Sequence, residues 1–171
     1  MELLKILNPQ SIIASLNVDS KKNLFHEISL QATFLYDLNQ REVFSALAER
    51  ESLGPTGMGD GIAIPHARVS KVDSVKGIFA RLEKPILFDS VDGIPVDLVF
   101  ALFAPLGTNG DHLKALARVS RLLRSKNTRH KLRSNQDSSV IYSILTEENE
   151  EKAAWCSFFL RKTWKFEPSI L

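Results

Sequence analysis

The sequence predicts an α/β fold in which a sheet carries helices on both faces. Three observations point there. Val96–Ala104, VDLVFALFA, is nearly all apolar, as a central strand covered on both faces must be. Segments with helical periodicity lie both before residue 54 and after residue 112, so helices bracket the strand-rich middle. Between them Ile78, Ala80 and Leu82 alternate with Phe79 and Arg81, the period of a strand.

The chain of 171 residues is long enough for one domain with a sizeable core. Its hydrophobic content of 44% and charged content of 25% are those of an ordinary soluble protein. A net charge of +2 gives no sign of a nucleic-acid partner, and none is expected. The single cysteine, Cys156, excludes an intrachain disulfide and fits a reducing cytoplasm, where the protein is expected to work. The N-terminus MELLKILNPQ does not read as a signal peptide, and no apolar run approaches the ~20 residues of a membrane span.

Taken in order, Ile12-Ile13-Ala14 suits a first strand. Asp19 and Ser20 can cap a helix starting near Lys21, on which Leu24, Ile28, Ala32 and Leu35 recur at helical spacing. His26 lies off that stripe and reads as solvated surface. Leu38-Asn39 makes a break, and Asn39 caps a second helix through Glu42–Ala48 that ends before Gly54 and Pro55. Arg50 thereby falls at a helix C-terminus. A cation is stabilised there by the helix dipole, and a guanidinium there also suits a bound anion.

The next stretch, Gly54–Arg68 (GPTGMGDGIAIPHAR), holds four of the eight glycines. Clustered glycine allows backbone angles and close approaches denied to other residues. Ile62-Ala63-Ile64 reads as a short buried strand, and Pro65, with fixed φ and no donor, belongs at its end. His66 is then offered on a stiff backbone beside an adaptable loop. The loop is neither a Walker A loop nor a dinucleotide fingerprint, because the glycine spacing is wrong and no Gly-Lys-Ser/Thr follows.

Beyond Arg68, Val75–Leu82 reads as a strand and Lys84-Pro85 as a break before Ile86-Leu87-Phe88. Asp92-Gly93 is a turn signal, and the central strand ends at Pro105-Leu106-Gly107. A polar loop then feeds a strongly amphipathic helix whose inner side is marked by Leu113, Leu116, Ala117, Ser120 and Leu123. Arg118, Arg121, Arg124, Lys126, Arg129, Lys131 and Arg133 read as the wet faces of helices, with His130 among them. A basic docking surface for an acidic partner is the alternative. Ser138–Leu145 suits a last domain helix. Glu147–Glu151 marks the boundary, giving a domain at 1–148 and an aromatic extension at 149–171. In that extension Trp155, Phe159, Leu160 and Trp164 are expected on one side of a short helix, docked on its own domain or forming a dimer or partner contact.

Arg50-Glu51-Ser52-Leu53-Gly54-Pro55-Thr56-Gly57, followed by Gly61-Ile62-Ala63-Ile64-Pro65-His66, resembles the active-site motif of enzyme IIA domains of the bacterial phosphotransferase system. The match is to the mannitol/fructose type, and more closely to its nitrogen-regulatory branch, over about Leu4 to Thr146. The resemblance implies a mixed sheet with helices on both faces and a phosphoryl carrier. His66 would accept a phosphoryl group from a histidine-containing phosphocarrier protein. A downstream regulatory protein or an enzyme IIB would receive it or respond to it. His112 matches the family's second histidine, at the opening of the helix after the central strand. Arg50 would neutralise the phosphoryl group, with Thr56, Gly57, Gly59 and Gly61 as a phosphate-binding loop. Ala67 departs from the family's usual glycine, and its methyl group is expected to narrow access to His66.

Imidazole suits the role, because its pKa of about 6.5 leaves a neutral ring nitrogen as nucleophile near pH 7. No metal, nucleotide or other cofactor is expected. Three alternatives stand beside this one. A sugar-specific enzyme IIA would pass phosphate to an enzyme IIB for fructose or mannitol uptake. A metal site would join His66 and His112 to Asp60 or Asp111, without the close helical spacing of strong metal motifs. A binding module would leave His66 unphosphorylated.

Overall fold

The computed structural model describes residues 2–107 and 110–147, so the aromatic extension lies outside the described residues. Two 3-10 turns, Leu3–Lys5 and Pro9–Ser11, lead into β1 (Ile12–Leu16). The Ser20 side chain accepts the Asn23 N–H at the start of α1 (Lys21–Tyr36), and Asn39 accepts the Glu42 N–H at the start of α2 (Gln40–Ser52). Each cap satisfies a donor that the first helical turn leaves free. Leu24, Ile28 and Ala32 are fully buried, so the stripe read from the sequence is the inner face of α1.

Three short strands follow: β2 (Gly57–Gly59), β3 (Ile62–Ala63) and β4 (His66–Val69). Then come the long strands β5 (Lys76–Ile86) and β6 (Val96–Pro105), and three helices, α3 (Asp111–Arg124), α4 (Lys126–Ser134) and α5 (Ser138–Thr146). The sheet is mixed, in the order β1-β5-β6-β3-β2. β6 runs antiparallel to β5 and parallel to both β3 and β4, while β2 and β3 form an antiparallel hairpin.

β6 is buried on both faces, as its composition requires. Val99, Ala101 and Phe103 join the core beneath α1 and α2. Leu98, Phe100, Leu102 and Ala104 join the opposite core, with Ala115, Val119 and Leu123 of α3, Leu132 of α4 and Ile141 and Leu145 of α5. Period-2 alternation in one strand thus serves two helical layers.

Four expectations are corrected. Lys84-Pro85 does not break the strand: β5 runs through to Ile86, with a register irregularity between Arg81 and Ile86 that accommodates the proline. His66 does not end a strand but opens one. β3 and β4 follow one another along the same side of β6, both paired with it, and the Pro65 carbonyl between them accepts the Leu102 N–H at 3.0 Å.

The inner face of α3 is His112, Ala115, Val119 and Leu123, whereas Leu113 is 68% exposed. Leu123 is buried as expected, while Leu113 and Leu116 are offset from that face and flank a groove. The basic run is not all wet surface either. Arg129 is buried, donating to the Leu123 and Arg124 carbonyls and pairing with Asp60 at 3.1 Å. Arg133 reaches both Asp97 carboxylate oxygens, at 2.8 and 2.7 Å, and the Asp60 carbonyl. These two arginines fasten α4 to the β2–β3 turn.

Candidate phosphoryl-acceptor site

His66 starts β4, and its ring points from the sheet face opposite to Ala67 and Val69, which lie in the α1/α2 core. Ala67 is buried in the α1/α2 core and also lines the cleft at His66. The ring is held at both nitrogens. Nδ1 lies 2.9 Å from the Ile64 carbonyl oxygen, which only accepts, so Nδ1 carries the proton. Nε2 then presents its lone pair and accepts the Arg50 Nε–H at 3.0 Å. Arg50 projects from the last turn of α2, and its Nη1 donates to the Gly54 carbonyl, which fixes the guanidinium plane.

His112, the second residue of α3, brings its ring centroid to 5.4 Å from that of His66, with the planes at 47°. It is buried, and its Nδ1 has no hydrogen-bond partner among the described residues. An unpaired buried polar atom of this kind is unusual in a folded protein. Burial pushes both histidines below the ordinary imidazole value. For His66 the Ile64 carbonyl works against the shift and Arg50 adds to it; for His112 the neighbouring His66, Arg68 and Arg50 add to it. Near neutral pH both rings are uncharged, so the Nε2 lone pair is not lost to a proton.

Two clefts meet at His66 and Arg50. One, of about 420 Å³, is lined also by Ala46, Glu49, Leu53, Ala67, Arg68 and His112. The other runs between Pro55–Met58 and the Leu113–Ser120 face of α3. The structure thus brings together Arg50, His66 and His112, with Thr56 and Gly57 on the second cleft's wall. Gly59 and Gly61 line neither cleft. Their missing side chains make room for intramolecular neighbours: a Cβ on Gly59 would lie 2.9 Å from Asp92 Oδ2, and one on Gly61 would lie 2.5 Å from Arg133 Nη2.

The Thr56 N–H is also not free for an anion, because it donates to Glu51 Oε2 at 3.1 Å. Among the described residues no three His, Cys, Asp or Glu side chains converge to hold a metal ion. Asp60 pairs instead with Arg129, and Asp111 with Lys114. His26 and His130 are exposed and stand apart from the site. Sequence reasoning gave no role to Glu51 or Arg68. Glu51 stands inside the quoted motif, and Arg68 follows His66 at the strand period, so both signals were present.

Comparison with known proteins gives the family and the fold. Residues 5–148 match the family described as "Phosphoenolpyruvate-dependent sugar phosphotransferase system, EIIA 2". A protein of Bradyrhizobium diazoefficiens named "Nitrogen regulatory protein" is 48% identical over 145 residues, covering 85% of this chain and 95% of the relative. The crystal structure of nitrogen regulatory protein IIA-Ntr from Neisseria meningitidis superposes with a TM-score of 0.78 at 37% identity, over 83% of this chain and 97% of that one. IIA mannitol from Escherichia coli shares the fold at a TM-score of 0.70 and 20% identity, covering 81% and 98% of the two chains. It does so again at 0.70 in a complex with phosphorylated enzyme IIB mannitol, at 19% identity over 81% and 96%. On these matches the chain belongs to the EIIA 2 family of the phosphoenolpyruvate-dependent sugar phosphotransferase system.

Proposed function

We propose that the protein is a phosphohistidine carrier of the nitrogen-regulatory kind, accepting its phosphoryl group at His66 Nε2 from a histidine-containing phosphocarrier protein. The observation that carries this is the tautomer. The Ile64 carbonyl keeps the proton on Nδ1, so the nitrogen facing Arg50 and the clefts is the one with a lone pair. In the transfer, Nε2 attacks phosphorus while the donor's P–N bond breaks and its electron pair stays on the donor imidazole. The His66 Nδ1–H keeps donating to the Ile64 carbonyl, whose oxygen stabilises the positive charge the ring acquires.

A phosphoryl group in flight passes through a loose transition state, so the protein's task is to position it and to neutralise its oxygens. Arg50 swings from the Nε2 lone pair to a phosphoryl oxygen, and the unpartnered His112 ring supplies a second contact. The regulatory reading over a sugar-uptake reading rests on the names carried by relatives of similar length. The receiving partner is then a regulatory protein that responds to the phosphorylated state, with an enzyme IIB as the alternative acceptor.

Incubation with the general phosphotransferase enzyme, its phosphocarrier protein and phosphoenolpyruvate is expected to add one phosphoryl group, labile to acid and stable to base. His66→Ala abolishes it, while His26→Ala and His130→Ala do not. Arg50→Ala and His112→Ala retain the fold and slow transfer, each by about 2.7–4 kcal/mol in barrier if they act as oxyanion donors do. Phosphorylation that persists in His66→Ala rules out this nucleophile. Failure of the native chain to accept phosphate favours the unphosphorylated binding module.

A further inference from the structure

The carboxylate of Glu51 sits beside the site, next to Arg50 on the last turn of α2, with its side chain only 8% exposed. Its Oε2 accepts both the Thr56 N–H, at 3.1 Å, and the Thr56 hydroxyl, at 2.5 Å. Its Oε1 accepts the Lys21 Nζ at 2.9 Å, and Lys21 goes on to Asp89 at 2.9 Å, with its ammonium 4.6 Å above the Phe88 ring. A nearly buried carboxylate needs such partners to stay charged.

What Thr56 does with this anchorage matters more. Its carbonyl accepts the Ile64 N–H at 3.0 Å, and the Ile64 carbonyl is the acceptor that holds His66 Nδ1–H at 2.9 Å. The same peptide segment is therefore gripped on one side by Thr56 and used on the other to orient the imidazole. An unbroken path of hydrogen bonds and main chain runs Lys21–Glu51–Thr56–Ile64–His66. No other side chain among the described residues bonds to Thr56.

We propose that Glu51 is a positioning residue for the phosphoryl acceptor: by clamping Thr56 it fixes the Ile64 carbonyl and so the orientation and protonated nitrogen of His66. The inference rests on the reading of His66 as the acceptor, but its first readout does not. Misplacement of a reacting group by about 1 Å costs on the order of a hundredfold in rate, so a loosened clamp is visible in transfer as well as in spectroscopy.

The experiment uses the full chain and reads the His66 Nδ1–H proton by NMR in the unphosphorylated protein, then transfer from the phosphocarrier protein. In Glu51→Ala the Nδ1–H resonance is expected to exchange with water at least ~10-fold faster, as a locally opened hydrogen bond does. Transfer slows by roughly 10- to 100-fold. Glu51→Gln keeps an acceptor for the Thr56 N–H and is expected to recover much of both. Should Glu51→Ala fail to fold, Thr56→Val, which removes one of the two bonds to the carboxylate, gives the same two readouts at smaller amplitude.

A folded variant with native Nδ1–H exchange and native transfer overturns the proposal. A perturbed Nδ1–H signal in a chain that never accepts phosphate leaves the clamp standing and removes the carrier function instead.

Discussion

At the scale of single residues, the candidate site brings together two imidazoles that burial favours in the neutral form. His66 and His112 both have folded-state values pushed below the ordinary 6.5, so protonation favours the unfolded chain. Their contribution to stability is full above the unfolded value and is lost as the pH falls through the depressed folded values. An NMR titration is expected to show both midpoints below the ordinary imidazole value of about 6.5, and denaturant unfolding to show stability falling as the pH drops below it. His112→Ala should remove part of that slope; an unchanged slope in both His66→Ala and His112→Ala would show that other groups carry it. The legible part of the site was the string Arg50…His66 and the histidine opening α3. Glu51 was passed over because its carboxylate is turned inward to Thr56, a fact set by the turn at Gly54–Thr56 and not by helical spacing.

At the scale of elements, the caps and the α1 stripe could be read directly, because Ser20, Asn39 and the four-residue spacing act locally. The misreadings share one cause, a tertiary partner invisible in the segment itself. Pro85 sits within β5 because the strand is irregular there. Leu113 lies exposed on the groove beside Met58, and Leu116 lines that groove while packing against the core's margin. The glycines of the β2–β3 turn looked like a cradle for a ligand, yet Gly61 makes room for the Arg133–Asp97 pair.

Gly61 also has φ +79°, so Gly61→Ala faces strain and crowding together. It is expected to lose about 1–3 kcal/mol in denaturant unfolding, from the backbone conformation alone. Gly107→Ala, which has nothing within 4 Å of the new methyl group, should stay within about 0.5 kcal/mol. Equal stability of the two variants would mean that α4 does not depend on this clasp.

At the scale of the whole molecule, the family match ends at residue 148, just past α5, whose Ile141 and Leu145 already complete the core. A chain stopped after Glu151 is therefore expected to unfold at the native temperature and to accept phosphate at the native rate, while its oligomeric state or partner binding changes. Calorimetry and light scattering decide it; a lower unfolding temperature would mean that the removed aromatics cover their own domain. The edge of the sheet carries a different lesson. Because β3 and β4 are both registered on β6, with the Pro65 carbonyl bonded between them, the strand path through His66 is tied to β6, and the Glu51–Thr56 clamp adds to that hold at the Ile64 peptide. On the proposed reading of His66 as acceptor, the message is written in charge and not in shape: about −1.5 to −2 is added beside Arg50 and Arg68. A listener that must tell the two forms apart does so by electrostatic contrast, and its discernment fades as salt shortens the range over which that charge is felt.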